Sequence, residues 1–197
     1  MSAAPLTWPD GNDRVPYWVY TDRGNYEREL EKIFYGPVWN YVGLECEIPK
    51  AGDFKRTQIG DQSIIVVRDT EGGVNALVNR CAHRGVKLCE QDKGSFHEII
   101  CPYHQWTYDL KGNLLGVPFY RGVKGNGGMP ADFLMEENGL DVLKVHVRNG
   151  GIFATMSDET PPFEAYMGKR ILGYYDRELD GRALRLLGHS RQRIGAN

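Results

Sequence analysis

Asn79-Arg80-Cys81-Ala82-His83-Arg84-Gly85 and, after residues 86–100, Cys101-Pro102-Tyr103-His104-Gln105-Trp106-Thr107-Tyr108-Asp109 are the segments on which the reading of this chain turns. Each offers one thiol and one imidazole, as Cys81 with His83 and Cys101 with His104. Two mixed knuckles suit a 2Fe-2S cluster in which one iron takes both cysteines and the other both histidines. A structural zinc ion, which also accepts Cys and His in a closed tetrahedron, is the competing reading. Common zinc spacings put two cysteines at one knuckle and two histidines at the next, so mixed knuckles favour the cluster, and with it electron transfer.

With their flanks, these segments resemble the Rieske loops of aromatic ring-hydroxylating oxygenase large (alpha) subunits. Ile48-Pro49-Lys50-Ala51-Gly52-Asp53-Phe54 is similar to the family's segment entering that domain. Gly116-Val117-Pro118-Phe119-Tyr120-Arg121-Gly122-Val123-Lys124 resembles its salicylate, anthranilate and terephthalate branch. The resemblance implies a mainly β fold: a Rieske-type antiparallel β domain with an N-terminal helix and the start of an α+β catalytic domain. It divides the chain into an arm and helix over 1–38, a Rieske 2Fe-2S domain over 39–157, and the beginning of a truncated catalytic domain over 158–197.

Rieske proteins of respiratory cytochrome bc complexes carry an extra cysteine in each loop, paired in a disulfide, and a serine that hydrogen-bonds a cluster sulfide. Here the corresponding places hold Val86, Tyr103 and Trp106. Fewer hydrogen bonds to sulfur stabilise the reduced cluster less, which places the potential toward the lower part of the Rieske range of roughly −150 to +300 mV.

Composition bounds the rest. The chain has 197 residues, 41% of them apolar and 25% charged, with a formal net charge of −2, as expected of a globular protein. Nothing in it points to a nucleic-acid or membrane partner. No apolar run approaches a bilayer span, and the first ten residues lack a signal peptide's basic and apolar regions, so a cytoplasmic location is expected. Cys46 and Cys89, left over from the cluster, are expected to be buried small apolar residues.

Prolines 5, 9 and 16 mark an irregular arm, and Tyr26, Leu30, Ile33 and Phe34 then recur at helical spacing. Asp22 or Asn25 could cap that helix, and Gly36-Pro37 stops it. From Trp39 the period changes. Residues 54–59, 63–68, 74–79, 143–148 and 152–155 predict antiparallel strands, joined by turns at Gly60-Asp61, Glu71-Gly72-Gly73, Lys111-Gly112-Asn113 and Asn149-Gly150. The ligands then fall in two loops between strands. Arg121 to Glu137, glycine-rich and charged, predicts an exposed excursion. Residues 157–162 read as a linker into a short helix through Phe163, Tyr166 and Met167, and 182–197 resemble the first strands of the family's catalytic domain.

In the family that domain holds a mononuclear non-haem Fe(II) in a triad of two histidines and one carboxylate. No Asp-x-x-His-x-x-x-x-His segment occurs here, and His97, His146 and His189 are scattered. No catalytic residue is therefore assigned, and the sequence is expected to be the amino-terminal portion of a longer oxidoreductase subunit. The resemblance implies that a ferredoxin or flavin reductase supplies electrons, that His104 passes them toward a neighbouring subunit's iron, and that an aromatic acid is hydroxylated in aromatic hydrocarbon catabolism. It also implies a small beta subunit and further alpha copies as partners. Arg84 and Lys87 could form a basic rim for an acidic donor or a solvated loop face, and Trp106 could cover the cluster or fill the core. Two other functions stay open: a standalone Rieske ferredoxin, which is a carrier and no enzyme, and a zinc-stabilised binding module.

Overall fold

The computed structural model describes Trp8 and residues 14–188. The chain opens with two short helices, α1 (Trp18–Thr21) and α2 (Arg23–Glu29). The Asp22 carboxylate caps α2 by accepting from the Asn25 backbone N–H at 2.7 Å, as its place before the apolar stripe predicts. Leu30–Phe34 then widens into a π-helical turn that ends before Gly36.

Among the described residues ten strands follow: β1 (Asn40–Leu44), β2 (Asp53–Ile59), β3 (Gln62–Arg68), β4 (Val74–Val78), β5 (Lys93–Ser95), β6 (Ile99–Ile100), β7 (Thr107–Tyr108), β8 (Leu114–Gly116), β9 (Val142–Arg148) and β10 (Gly151–Thr155). Seven form one antiparallel sheet in the order β1-β10-β9-β4-β3-β2-β5, and β6-β7-β8 form a second, smaller one. All five strands predicted from the sequence are present.

The central strand β3 explains how the two sheets share one body. Ile64, Ile65, Val66 and Val67 are all 0% exposed, because a strand presents alternate residues to opposite faces and both faces here are covered. Ile65 and Val67 pack with Phe54, Leu77, Ile99, Tyr108 and the cysteines 81, 89 and 101. Ile64 and Val66 face Val42, Ile48, Ile59, Ala76, Leu143 and Ile152 on the other side. The loops that bear the chemistry are therefore anchored to one face of the large sheet.

Three expectations are corrected. The excursion over 121–137 is not wholly exposed: Met129, Phe133 and Met135 fold back against the core under the small sheet, where an apolar surface needs cover. Residues 157–162 are tied down, the Thr155 and Thr160 hydroxyls bonding at 2.6 Å and Trp39 Nε1 donating to the Pro161 carbonyl at 2.9 Å. The helix beyond them, α3 (Phe163–Leu179), is 17 residues long, its helical backbone broken at Gly168, where φ is 70°.

Phe163, 1% exposed, anchors α3 between the rings of Trp39, His146 and Phe153. Farther along, Arg148 Nε donates to the Asp176 carboxylate at 2.7 Å. Residues 182–188 form no strand, and residues 189–197, His189 among them, lie outside the described residues. Among the described residues no helix is long and apolar enough to cross a membrane.

Candidate metal centre

Cys81 and His83 lie on the loop that leaves β4, and Cys101 and His104 on the turn joining β6 to β7. The two loops repeat one backbone conformation. The Cys81 N–H donates to the Val86 carbonyl at 2.8 Å and the Gly85 N–H returns to the Cys81 carbonyl at 2.9 Å. In the second loop the Cys101 N–H donates to the Trp106 carbonyl at 2.8 Å, and the Gln105 N–H returns to the Cys101 carbonyl at 3.0 Å. Each return residue is left-handed, with φ of 69° at Gly85 and 57° at Gln105, the conformation that glycine adopts without steric cost. The repeat is not visible in the residue letters, because His83 stands two places after its cysteine and His104 three.

The structure brings the predicted donors together as two pairs, one of cysteines and one of histidines. Cys81 and Cys101 are each 2% exposed and pack in the same buried cluster. The rings of His83 and His104 are 4.7 Å apart, His83 exposed and His104 half-buried. Sulfur donors thus sit inside and imidazole donors outside, which fits a cluster whose two irons differ in ligands. Among the described residues no group of three or more His, Cys, Asp or Glu side chains is gathered to hold a single metal ion. A two-iron cluster asks each iron for only two protein ligands, which two thiols and two imidazoles supply.

Aromatic side chains frame the donors. Trp106, 4% exposed, stacks on the His83 ring at 4.7 Å and 6° between planes, and Phe133 meets its edge at 5.7 Å. It therefore fills the core and shields the site at once. The exposed Tyr103 ring lies 3.7 Å from that of His104.

Tyr108, which the sequence reading quoted without a role, is fully buried, its hydroxyl 3.2 Å from Cys81 Sγ. With Cys81 a thiolate, as cluster ligation requires, the phenol is the group that holds a proton to donate. An aromatic seven places after Cys101, inward on a strand beside the loop, was the available signal.

Burial sets the local electrostatics. It pushes the Cys81 thiol up, with the Tyr108 hydroxyl and the His83 N–H acting the other way. His83 is held below the ordinary imidazole value by partial desolvation, then by His104 and Arg84. Burial, followed by the bond to Cys81, raises Tyr108 far above the ordinary phenol range, so it stays a donor.

The remaining sequence candidates stand apart. Cys89 is buried in the same core, its thiol raised by desolvation, whereas Cys46 is only half-buried in a 3-10 turn. Arg84 is exposed, and Lys87 is paired with Glu90 at 3.2 Å. His97 is exposed, and His146 stacks on Phe163 with Nε2 3.4 Å from Glu164.

Residues 38–126 match the family description of a Rieske 2Fe-2S domain. The chain is 54% identical over 195 residues to the large oxygenase component of salicylate 5-hydroxylase from Ralstonia sp, covering 96% of this chain and 46% of that protein. It is 47% identical over 188 residues to the anthranilate 1,2-dioxygenase large subunit of Burkholderia cepacia, covering 95% and 44%. A crystal structure of a naphthalene 1,2-dioxygenase mutant bound to phenanthrene superposes with a TM-score of 0.72 at 27% identity, over 83% of this chain and 35% of that one. The chain spans about half the length of the curated relatives it matches. Residues 38–126 thus form a Rieske 2Fe-2S domain, in a chain similar over nearly all its length to part of the large components of salicylate 5-hydroxylase and anthranilate 1,2-dioxygenase.

Proposed function

We propose that Cys81 and Cys101 hold one iron and His83 and His104 the other, and that the chain serves electron relay within an oxygenase large subunit that hydroxylates an aromatic acid. The observation that carries this reading is the pair of loops with one hydrogen-bond pattern, holding two thiols buried and two imidazoles outward. A 2Fe-2S cluster bound here supplies a one-electron redox centre. Tyr108 and the His83 N–H direct hydrogen bonds at the Cys81 sulfur, while Trp106 and Phe133 keep water from the inner side. His83, Tyr103 and Arg84 reach solvent beside the site, the edge that a ferredoxin or flavin reductase would meet.

The aromatic acid is inferred from the salicylate and anthranilate in the relatives' names. In such a subunit a mononuclear iron held elsewhere performs the hydroxylation, with a small beta subunit and further alpha copies as partners, in the cytoplasm. Residues 1–38, 39–157 and 158–197 are the proposed arm, Rieske domain and start of a catalytic domain. The test is ligand replacement. His83→Ala, His104→Ala, Cys81→Ser and Cys101→Ser should each lose the visible absorption and sulfide while the remaining β core folds. Retention of both in any one of them removes that residue from the ligand set.

A further inference from the structure

The two ligand loops are closed in different ways. The mouth of the second is a hairpin ladder, in which Ile99 pairs with Tyr108 and Ile100 with Thr107. The first has no such ladder: it departs from β4 at Asn79 and returns at Leu88 and Cys89, which belong to no strand. One carboxamide stands where the rungs are missing. Asn79 Oδ1 accepts from the Leu88 N–H at 3.0 Å and the Cys89 N–H at 2.9 Å. Its Nδ2 donates to the Cys89 carbonyl at 2.7 Å and to Ser63 Oγ at 3.1 Å.

Asn79 is 4% exposed, and its two donor protons and two acceptor lone pairs are all engaged. Its own N–H donates to the Ser63 carbonyl at 2.8 Å, which pins it to β3. A carboxamide reproduces the donor and acceptor of a peptide group, so it can replace a ladder rung where no strand runs. No other side chain of this size does so: Asp could receive both N–H groups but could not donate to the Cys89 carbonyl, and would bury a charge.

We propose that Asn79 is a positioning residue for Cys81 and His83. By clamping the exit of the loop at Leu88 and Cys89 to its entry, it fixes where the first knuckle stands against the second. The inference rests on the proposed ligand set, and it concerns a residue that touches no ligand atom itself. Groups hydrogen-bonded directly to metal ligands are worth about 10- to 100-fold in metal affinity, and Asn79, one step farther out, acts at the lower end of that range.

The experiment compares the full chain with Asn79→Ala, Asn79→Asp and two controls. Ser63→Ala removes only the outer hydrogen bond, and Thr160→Val removes the hydroxyl pair with Thr155 on another part of the sheet. The readouts are the rate at which an iron chelator bleaches the protein, the thermal midpoint, and amide exchange at Leu88, Cys89 and β3.

Asn79→Ala should bleach about 10-fold faster, with the Leu88 and Cys89 amides deprotected while Ile64 to Val67 stay protected. Ser63→Ala and Thr160→Val should bleach near the wild-type rate, Thr160→Val even at a lowered midpoint. Bleaching of Asn79→Ala no faster than of Thr160→Val at a matched loss of midpoint would overturn the proposal. Loss of protection at Leu88 and β3 together would also overturn it, since the role would then be general stability.

If the alanine variant does not fold, Asn79→Asp, which keeps the acceptor, is read by the same comparison. The amide-exchange contrast is also measured on metal-free protein. A wild-type chain that holds no iron and sulfide would defeat the proposed function, whereas unchanged Leu88 and Cys89 exchange in metal-free Asn79→Ala would defeat this inference alone.

Discussion

Replacing Tyr108 by Phe should lower the reduction potential of the centre without removing it. The hydroxyl lies 3.2 Å from Cys81 Sγ and belongs to a residue that is 0% exposed, so no water can take over its bond. Under the proposed ligation, reduction adds negative charge that the ligand sulfur shares, and a donor aimed at that sulfur stabilises the reduced state more than the oxidised one. A net hydrogen bond is worth about 0.5–1.5 kcal/mol. A one-electron couple shifts about 59 mV per tenfold, or about 1.4 kcal/mol. The expected shift is therefore about 20–65 mV downward.

The phenyl ring stays in the core, so iron and sulfide content should not change. The assay is a dye-mediated redox titration followed by visible absorption or by the EPR signal of the reduced protein. A midpoint unchanged within about 10 mV, or one that rises, would refute the argument that this hydroxyl donates to a cluster ligand.

Cys46→Ser and Cys89→Ser should keep the visible spectrum, the latter at a cost of about 1 kcal/mol because its site is buried; bleaching in either would show a ligand set different from the one proposed. Trp106→Ala should cost about 3–5 kcal/mol in chemical unfolding, since it empties a core site and removes the stack on His83; a loss under about 1 kcal/mol would mean that the loop closes over the gap. Arg148 holds the Asp176 carboxyl below the ordinary value of 3.8. A carboxylate whose folded value is depressed contributes stability above its unfolded value and loses it as the pH falls through the folded one. The thermal midpoint should thus fall more steeply below about pH 4 in the wild type than in Asp176→Asn, and parallel curves would show that the pair does not hold α3.

Most of the β framework was legible because its signals are local. Residues 63–68 form a continuous apolar run bounded by turn residues, Asp22 stands where a cap belongs, and the Cys and His spacing marked both loops before any fold was known. What escaped the sequence depends on contacts between distant segments. The stack of Trp106 on His83 joins two loops, Tyr108 reaches Cys81 from strand β7, and Phe133 returns from a glycine-rich excursion to cover Trp106. Composition marked that excursion as solvent-exposed because glycine and charge dominate its letters, yet three apolar side chains are enough to fold it back. The segment over 157–162 misled in the same way. Two prolines read as a linker, while the backbone between them and β10 is tied by Thr160 and Trp39, partners 5 and 122 residues away from Thr155 and Pro161.

The central claim is that four residues on two like loops hold two chemically different irons. Its most direct test is Mössbauer spectroscopy of the iron-57-labelled chain, with iron, zinc and acid-labile sulfide measured on the same sample. The expected result is two irons and two sulfides per chain, resolved as two unequal iron sites, one sulfur-ligated and one imidazole-ligated. One equivalent of zinc without sulfide, or a pair of irons in equivalent surroundings, would contradict it.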